Sequence, residues 1–482
     1  MLCSRDWLSD AWWFCVPRLT AVGCFMRGYR CSAGEYQWRW SIVGGLLDSW
    51  RVCRRVGLGR PTVAGGRGLV RLEVVGVSVD AELRSAMVDE LRAAGLVTVA
   101  EVEAAMRAVP RHVFLPGVEL VQAYGQQSVV THRDADGVAL SSASAPATVA
   151  GMLEQLDVRP GHRVLEIGTG TGYNAALLAR LVGPTGSVVS VEYLPDAAER
   201  ARAALGRLAP GVRVVQGDGM LGFADAAPYD RIVVTAGAWD VAAAWWEQLA
   251  PDGVLVVPLR IRGLTQSVAF ERHGDMLRSR SVEEIGFIPM KGMDAVAEQN
   301  IRVGDAADPD LVIRVDDGQS VDADGLAVAV RRPGPTVWTG VVWAMLENLP
   351  FWLASMPGFC RMLVSQEAVR AGRLVAPMYG WGSMGVHDGG TFGYLTLRPV
   401  ADNPQVREIG ACAYGPDAGE VAHRLAARVR EWERDGGQQV AICVEAYRLP
   451  AADVSGALLV VDKKVSRIVV RACPQRPEPS SS

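Results

Sequence analysis

The chain has 482 residues, enough for two or three domains that each bury a core, and 49 basic against 53 acidic residues leave a formal net charge of −4. Charges so nearly balanced exclude a bulk polyanion such as nucleic acid as the expected partner, and 49% hydrophobic residues with 52 Gly fit a folded α/β protein. No apolar run is long enough for a membrane span, and the first residues lack the basic–apolar–small order of a secretory signal, so a cytoplasmic protein is expected.

The first stretch is unusual in composition. Cys3, Cys15, Cys24, Cys31 and Cys53 lie there beside Trp7, Trp12, Trp13, Trp38, Trp40 and Trp50. No C-x-x-C spacing occurs among these cysteines, and no histidine precedes His112, which removes the usual zinc patterns. Neither helical nor strand periodicity is evident. Residues 1–78 are therefore expected to form an extension that is disordered or lies upstream of the true start.

Ordered pattern begins near residue 79. "DAELRSAMVDELRAAGLV" places Leu83, Met87 and Leu91 on one helical face and stops at Gly95. "TVAEVEAAMRAVP" repeats the signal, with Thr98 as the expected cap, Glu101 three positions on and Pro110 past the end. "RHVFLPG" reads as an extended turn and is followed by a polar loop through Gly137. Next comes "VALSSASAP", a run of small residues closed by Pro146.

From Arg163 apolar strand runs alternate with helices: "RVLEIG", "YNAALLARLVG", "SVVSVE", "PDAAERARAALGRL", "VRVVQGDG", "YDRIVVTAG", "VAAAWWEQLA" and "GVLVVPL". Such alternation implies a doubly wound, Rossmann-like parallel sheet, whose ligands sit beyond the carboxyl ends of the strands. At the first strand end stands "EIGTGTG", with Glu166, Gly168, Thr169, Gly170 and Gly172. Its spacing is G-x-G-x-G, not the dinucleotide G-x-G-x-x-G, and an acid stands two residues before the first glycine. A pyrophosphate avoids a nearby carboxylate, so a cationic, phosphate-free ligand is favoured, and S-adenosylmethionine is the common one.

Two further strand ends agree. Glu192 closes "VVSVE", where a carboxylate can accept both ribose hydroxyls, and Asp218, followed by Gly219, closes the third strand, where it can take the adenine amino group. Three acids ending three successive strands point to the fold class: an α/β class I methyltransferase sheet with an N-terminal helical segment and a C-terminal α+β domain.

The motifs "AMRAVPRHVFLP", "SAPATVAGMLEQL", "VLEIGTGTGYNAALLARL", "GDGMLG" and "YDRIVVTA" together resemble the protein-L-isoaspartate O-methyltransferase family, from about residue 80 to Gly292. In that family a Thr-Ile-Ser-x-Pro segment covers the cofactor, and its serine contacts the substrate carboxylate. The matching residues here are Ser142, Ala143, Ser144 and Pro146, so the resemblance gives Ser144 the active-site role, with Ser142 beside it. Ala143 and the polar approach "GQQSVVTHRDADG" depart from the family pattern. A carboxylate is already ionised at neutral pH, so hydroxyl donors suffice to orient it without a general base.

A long segment follows Gly292, with the strand-like "GYLTLRP", "QVAICVEAY" and "ALLVVDKKVSRIVVRA" and the amphipathic "DAGEVAHRLAARVREWERD". This layout is similar to variant methyltransferases of ribosomal peptide clusters, including the FxLD-system type. The resemblance implies esterification of an aspartate in a precursor peptide, then aspartimide and isoaspartate. General repair of isoaspartyl proteins is the alternative, and a noncatalytic binding module is disfavoured by the complete acid and glycine set. The expected domains are 79–295 for methyl transfer and 300–475 for substrate recognition. The aromatic stretches "TVWTGVVWAMLENLPFWLASM" and "PMYGWGSMGVHDGG" suit core more readily than peptide anchors, the neighbours His387 and Asp388 carry only a weak acid–base signal, and no metal-ligand spacing occurs. The oligomeric state is not legible.

Overall fold

The computed structural model describes residues 78–473, apart from 136, 294, 297, 306–307, 317, 333, 344–347, 381, 402 and 452–453, together with the backbone of one hairpin nearer the start. In that hairpin β1 (Phe25–Arg30) pairs antiparallel with β2 (Tyr36–Ser41). The expected disorder of residues 1–78 otherwise lies outside the described residues.

Helix α1 (Val79–Ala93) buries Met87, Val88 and Leu91, and α2 (Ala100–Ala108) buries Val102, Ala105 and Met106. The capping box expected at Thr98 is not formed. Val99 occupies the cap position, and the Thr98 backbone N–H and hydroxyl instead donate to Glu154 at 2.6 and 2.7 Å. The Val99 N–H reaches the same carboxylate at 2.8 Å, so an acid 55 residues away supplies the helix N-terminus with its anion. The "polar loop" holds α3 (Leu120–Ala123) and β3 (Val129–Arg133), and β3 pairs antiparallel with β4 (Ala139–Ala143). The serine run is thus a strand of a small hairpin, leading into α4 (Pro146–Leu156).

The alternating segment folds as β5 (Arg163–Ile167), α5 (Tyr173–Val182), β6 (Ser187–Glu192), α6 (Pro195–Leu208), β7 (Arg213–Gln216), β8 (Tyr229–Val234), α7 (Ala243–Gln248) and β9 (Leu249–Ile261). Strands β7, β6, β5, β8 and β9 lie side by side in parallel, as expected. The sheet then turns antiparallel through β10 (Leu264–His273) and β11 (Met276–Glu284). The two-residue turn before β10 explains this, because Arg262 and Gly263 both take positive φ, 47° and 78°, as a mirror-image hairpin turn requires.

A second sheet of seven antiparallel strands follows. It contains β12 (Gln299–Gly304) and β13 (Pro309–Val315), then, after α8 (Ala323–Ala329), β14 (Thr336–Trp343). Helix α9 (Leu349–Ala354), β15 (Phe359–Val364), α10 (Gln366–Arg370), β16 (Ser383–Asp388), β17 (Thr391–Val400), β18 (Asn403–Tyr414) and α11 (Ala418–Arg434) complete this unit. The chain then returns. β19 (Ala441–Arg448) pairs with β11, and β21 (Ser466–Cys473) bridges β19 and β20 (Leu459–Asp462). The expected boundary of a separate domain at 300–475 therefore needs correction, since residues 441–473 extend the first sheet to ten strands.

Strand alternation sends neighbouring residues to opposite faces of the first sheet. Val164, Val188, Val254 and Val256 meet α1, α2, α4 and α5 on one face. Leu165, Ile167, Val189 and Leu255 share the other core with Trp245, Phe351, Trp352, Leu425, Val429 and Trp432. Helix α9 touches both sheets, so the appended unit supplies the apolar layer that covers the second face. Phe351 and Trp352 are core, as their spacing suggests, whereas Trp343 is 39% exposed. The far side of the second sheet has its own core, with Phe392, Tyr394 and Tyr414 stacked at 5.1–6.3 Å. Among the described residues no helix is long and apolar enough to cross a membrane.

Candidate active site

One open cavity, about 1160 Å³ including its mouth, lies at the carboxyl ends of β5, β6 and β8. The turn after β5 forms its floor. Gly168, Gly170 and Gly172 take φ of +97°, +54° and +91°, which disfavour any residue with a Cβ. Space is also short at Gly168, where an added Cβ would stand 2.7 Å from Thr235 Oγ1. Such a turn exposes backbone to a ligand that needs close approach.

Beneath the turn runs a buried polar chain. Thr169 Oγ1 and Ser190 Oγ lie 2.6 Å apart, the Ser190 hydroxyl donates to Glu166 Oε2, and Asn174 Nδ2 donates to Glu166 Oε1 at 2.8 Å. Glu166 is wholly buried, and burial raises its pKa to about 7 despite those two hydrogen bonds. It does not line the cavity. The expectation that Glu166 faces the ligand is thus corrected: its side chain lies on the α5 face of the sheet and braces the turn from below.

Glu192 does reach the cavity. Its carboxylate accepts from the Gly170 N–H at 2.8 Å and the Leu194 N–H at 2.9 Å, which leaves lone pairs for a ligand's hydroxyls. Asp218 is placed differently. Its oxygens accept from Met220 N at 2.9 Å and Met293 N at 2.7 Å, and a Cβ on Gly292 would lie 2.3 Å from Oδ2. The 292–293 turn therefore covers the carboxylate, and Gly219, not Asp218, lines the cavity. Asp218 is thus braced by the turns on either side of it.

The β3–β4 hairpin is the roof. A Cβ on Gly170 would meet Ser141 Oγ and Ser142 O at 3.9 Å, so the serine strand lies directly over the glycine turn. Ser141, Ser142 and Ser144 all line the cavity, half-buried, with Thr148 one helical turn on. The segment Phe287–Lys291 closes another side, held by a bond from Gly237 N to Ile288 O at 2.8 Å and one from Met290 N to Gly237 O at 2.9 Å.

Several lining residues escape a sequence reading. Thr235 sits past the end of β8 and donates to the Gly168 carbonyl. Ser190, buried beneath the turn and outside the cavity lining, stands out only as a polar residue flanked by valines. Arg111, in a one-turn helix (Arg111–Phe114) where an extended turn is expected, is 1% exposed at the base of the cavity. Its signal was a charge flanked by Val109, Val113 and Phe114. His387 and Asp388 part company: His387 Nε2 faces Gln319 Oε1 at 3.1 Å, and Asp388 pairs with Arg424 at 3.4 Å. They form no acid–base couple. Among the described residues no group of three or more His, Cys, Asp or Glu is placed to hold a metal ion.

The family description "Protein-L-isoaspartate(D-aspartate) O-methyltransferase" matches residues 82–295. The protein-L-isoaspartate O-methyltransferase of Methanopyrus kandleri is 39% identical over 218 residues, which are 45% of this chain and 94% of that protein. Protein-L-isoaspartate O-methyltransferase 2 of Archaeoglobus fulgidus is 40% identical over 189 residues, 39% of this chain and 84% of that protein. A solved structure named protein-L-isoaspartate O-methyltransferase has a TM-score of 0.44 at 23% identity, with 81% of this chain and 99% of that one covered. The chain belongs to the protein-L-isoaspartate O-methyltransferase family, carboxyl methyltransferases that use S-adenosylmethionine.

Proposed function

We propose that this chain esterifies the side-chain carboxylate of an aspartate in one cognate, ribosomally made precursor peptide, the ester then closing to an aspartimide that hydrolyses to isoaspartate. One observation carries the reading. The family match ends at residue 295, yet residues 299–434 build a seven-stranded sheet, and two of its helices, α9 and α11, share the catalytic sheet's core. Aspartate is ubiquitous, so an enzyme that accepts it must select by surrounding sequence, and selection requires contact surface beyond the transfer site. General repair of isoaspartyl residues is the second reading, favoured by the match to relatives named protein-L-isoaspartate O-methyltransferase across the transfer region.

The residues fit the donor. The glycine turn of Gly168, Thr169, Gly170 and Gly172 admits its backbone-hugging part, Glu192 takes the ribose hydroxyls, and Gly219 receives the adenine, with Asp218 bracing that end. When bound, the donor supplies an electrophilic methyl group on sulfur. The chain's part is to hold the acceptor. Ser144 and Ser142 donate hydrogen bonds that align one carboxylate oxygen, and the hairpin roof and the 287–291 segment exclude water. No side chain needs to remove a proton, because the acceptor is already an anion.

The test is mass spectrometry of full-length protein with S-adenosylmethionine and three peptides: one from a precursor encoded beside the gene, a generic aspartyl peptide and a generic isoaspartyl peptide. Gain of one methyl and then loss of methanol in the first alone supports the proposal. Efficient methylation of the isoaspartyl peptide, with the precursor untouched, establishes repair instead. Ser144→Ala should lower the transfer rate and leave donor affinity nearly unchanged; an unaltered rate would remove Ser144 from the site.

A further inference from the structure

Arg111 and Tyr173 line the same cavity as the serine strand. The Arg111 guanidinium donates through Nε to Ala123 O at 3.0 Å and through Nη2 to Ser144 O at 2.8 Å. Its Nη1 is buried with no partner. The Tyr173 ring stacks under the guanidinium, its centroid 5.0 Å from Cζ, and its hydroxyl is also buried without a partner. No carboxylate pairs with Arg111 among the described residues; its protein acceptors are backbone carbonyls. A buried cation without a counter-ion is strongly destabilising unless an anion completes it, and two orphaned donors on adjacent side chains can each serve one oxygen of a carboxylate.

We propose that Arg111 Nη1 and the Tyr173 hydroxyl form a carboxylate-binding subsite at the base of the cavity, beside Ser144. This rests on the reading of the cavity as the transfer site, which offers two sources of that anion: the amino-acid carboxylate of the donor, and the carboxylate being methylated. The same guanidinium holds the Ser144 carbonyl through Nη2, so filling the subsite also fixes the serine segment. The motif that contains Arg111 does not reveal this role, because it depends on α3, the hairpin and α5 meeting around the guanidinium.

The experiment is calorimetry on the full chain, with Tyr173→Phe as the conservative variant and Arg111→Met as the neutral one. Donor-side probes are S-adenosylhomocysteine and methylthioadenosine, which lacks the amino-acid carboxylate. Acceptor-side probes are the peptide that the wild-type protein methylates and its methyl ester, added to the S-adenosylhomocysteine-loaded protein. If the donor fills the subsite, Tyr173→Phe reduces the preference for S-adenosylhomocysteine over methylthioadenosine about tenfold and leaves methylthioadenosine unchanged. If the acceptor fills it, the preference for free acid over ester falls instead. If neither preference moves in a folded Tyr173→Phe protein, an ordered water satisfies the pair and the proposal is overturned. Arg111→Met should abolish whichever preference responds; should it fail to fold, the phenylalanine variant still decides. A wild-type protein that methylates no peptide refutes the proposed function, while the donor-side comparison still judges the subsite.

Discussion

Trp432→Ala tests whether the appended unit and the methyl-transfer sheet fold as one body. Trp432 is fully buried on α11, within the core that also holds Leu165, Ile167 and Leu255. Its Nε1 donates to Asn348 Oδ1 at 2.6 Å, and Asn348 Nδ2 in turn donates to Gly437 O and Val440 O at 2.8 and 2.6 Å. Truncating a buried tryptophan costs about 3–5 kcal/mol, and orphaning the Asn348 oxygen adds about 1–3 kcal/mol. A loss of that size approaches the whole stability of many proteins, about 5–15 kcal/mol. Trp432→Phe keeps most of the volume and should cost chiefly the hydrogen bond. The assay is urea unfolding followed by far-ultraviolet circular dichroism and, in parallel, by S-adenosylhomocysteine binding. With one shared core both midpoints fall together, more for alanine than for phenylalanine. Two separated transitions, with donor binding confined to the one that Trp432→Ala leaves in place, would refute the shared core.

Three further perturbations bear on the site. Glu192→Ala should weaken S-adenosylmethionine binding by about 1.5–3 kcal/mol through loss of charge-assisted hydrogen bonds, and calorimetry showing unchanged affinity would remove it from the ribose position. Gly168→Val should abolish donor binding while the protein stays folded, because φ is +97° and the new Cβ meets Thr235 Oγ1 at 2.7 Å; a normal dissociation constant counts against the turn as the donor's seat. Glu166 has its pKa raised by burial from 4.5 to about 7, so it contributes stability that is lost as pH rises from about 4.5 through 7. Glu166→Gln should therefore gain on the wild type over that window, by an amount on the order of 3 kcal/mol, and parallel stability–pH curves would show that the carboxyl is not held protonated.

The sheet's parallel half and its ligand end were legible in the sequence. Apolar runs such as "VVSVE" and "RIVV" have the length and β-branching of buried strands, and a glycine-rich turn after the first of them is a local backbone requirement. Gly168, Gly170 and Gly172 can take the positive φ that this turn requires without a Cβ penalty, and Glu192 ends the neighbouring strand beside them. The serine run was legible only through its resemblance to a family, since its own composition suits a loop as well as a strand.

Tertiary structure alone decided the rest, because those features depend on residues brought together from far apart in the chain. Glu154 reaches across 55 residues to supply the N-terminus of α2, a task that Thr98 and Glu101 seemed fit to perform locally. Glu166 stands near the end of β5 and Asp218 just past β7, but which way each carboxylate faces depends on Ser190, Asn174 and the 292–293 turn. The pairing of β19 with β11 is invisible to periodicity, since a strand's alternation names its two faces and not its neighbour. Arg111 shows the limit most plainly: an arginine amid apolar residues looks like a solvated turn until the hairpin closes over it, and only then do its burial and its unpaired Nη1 exist.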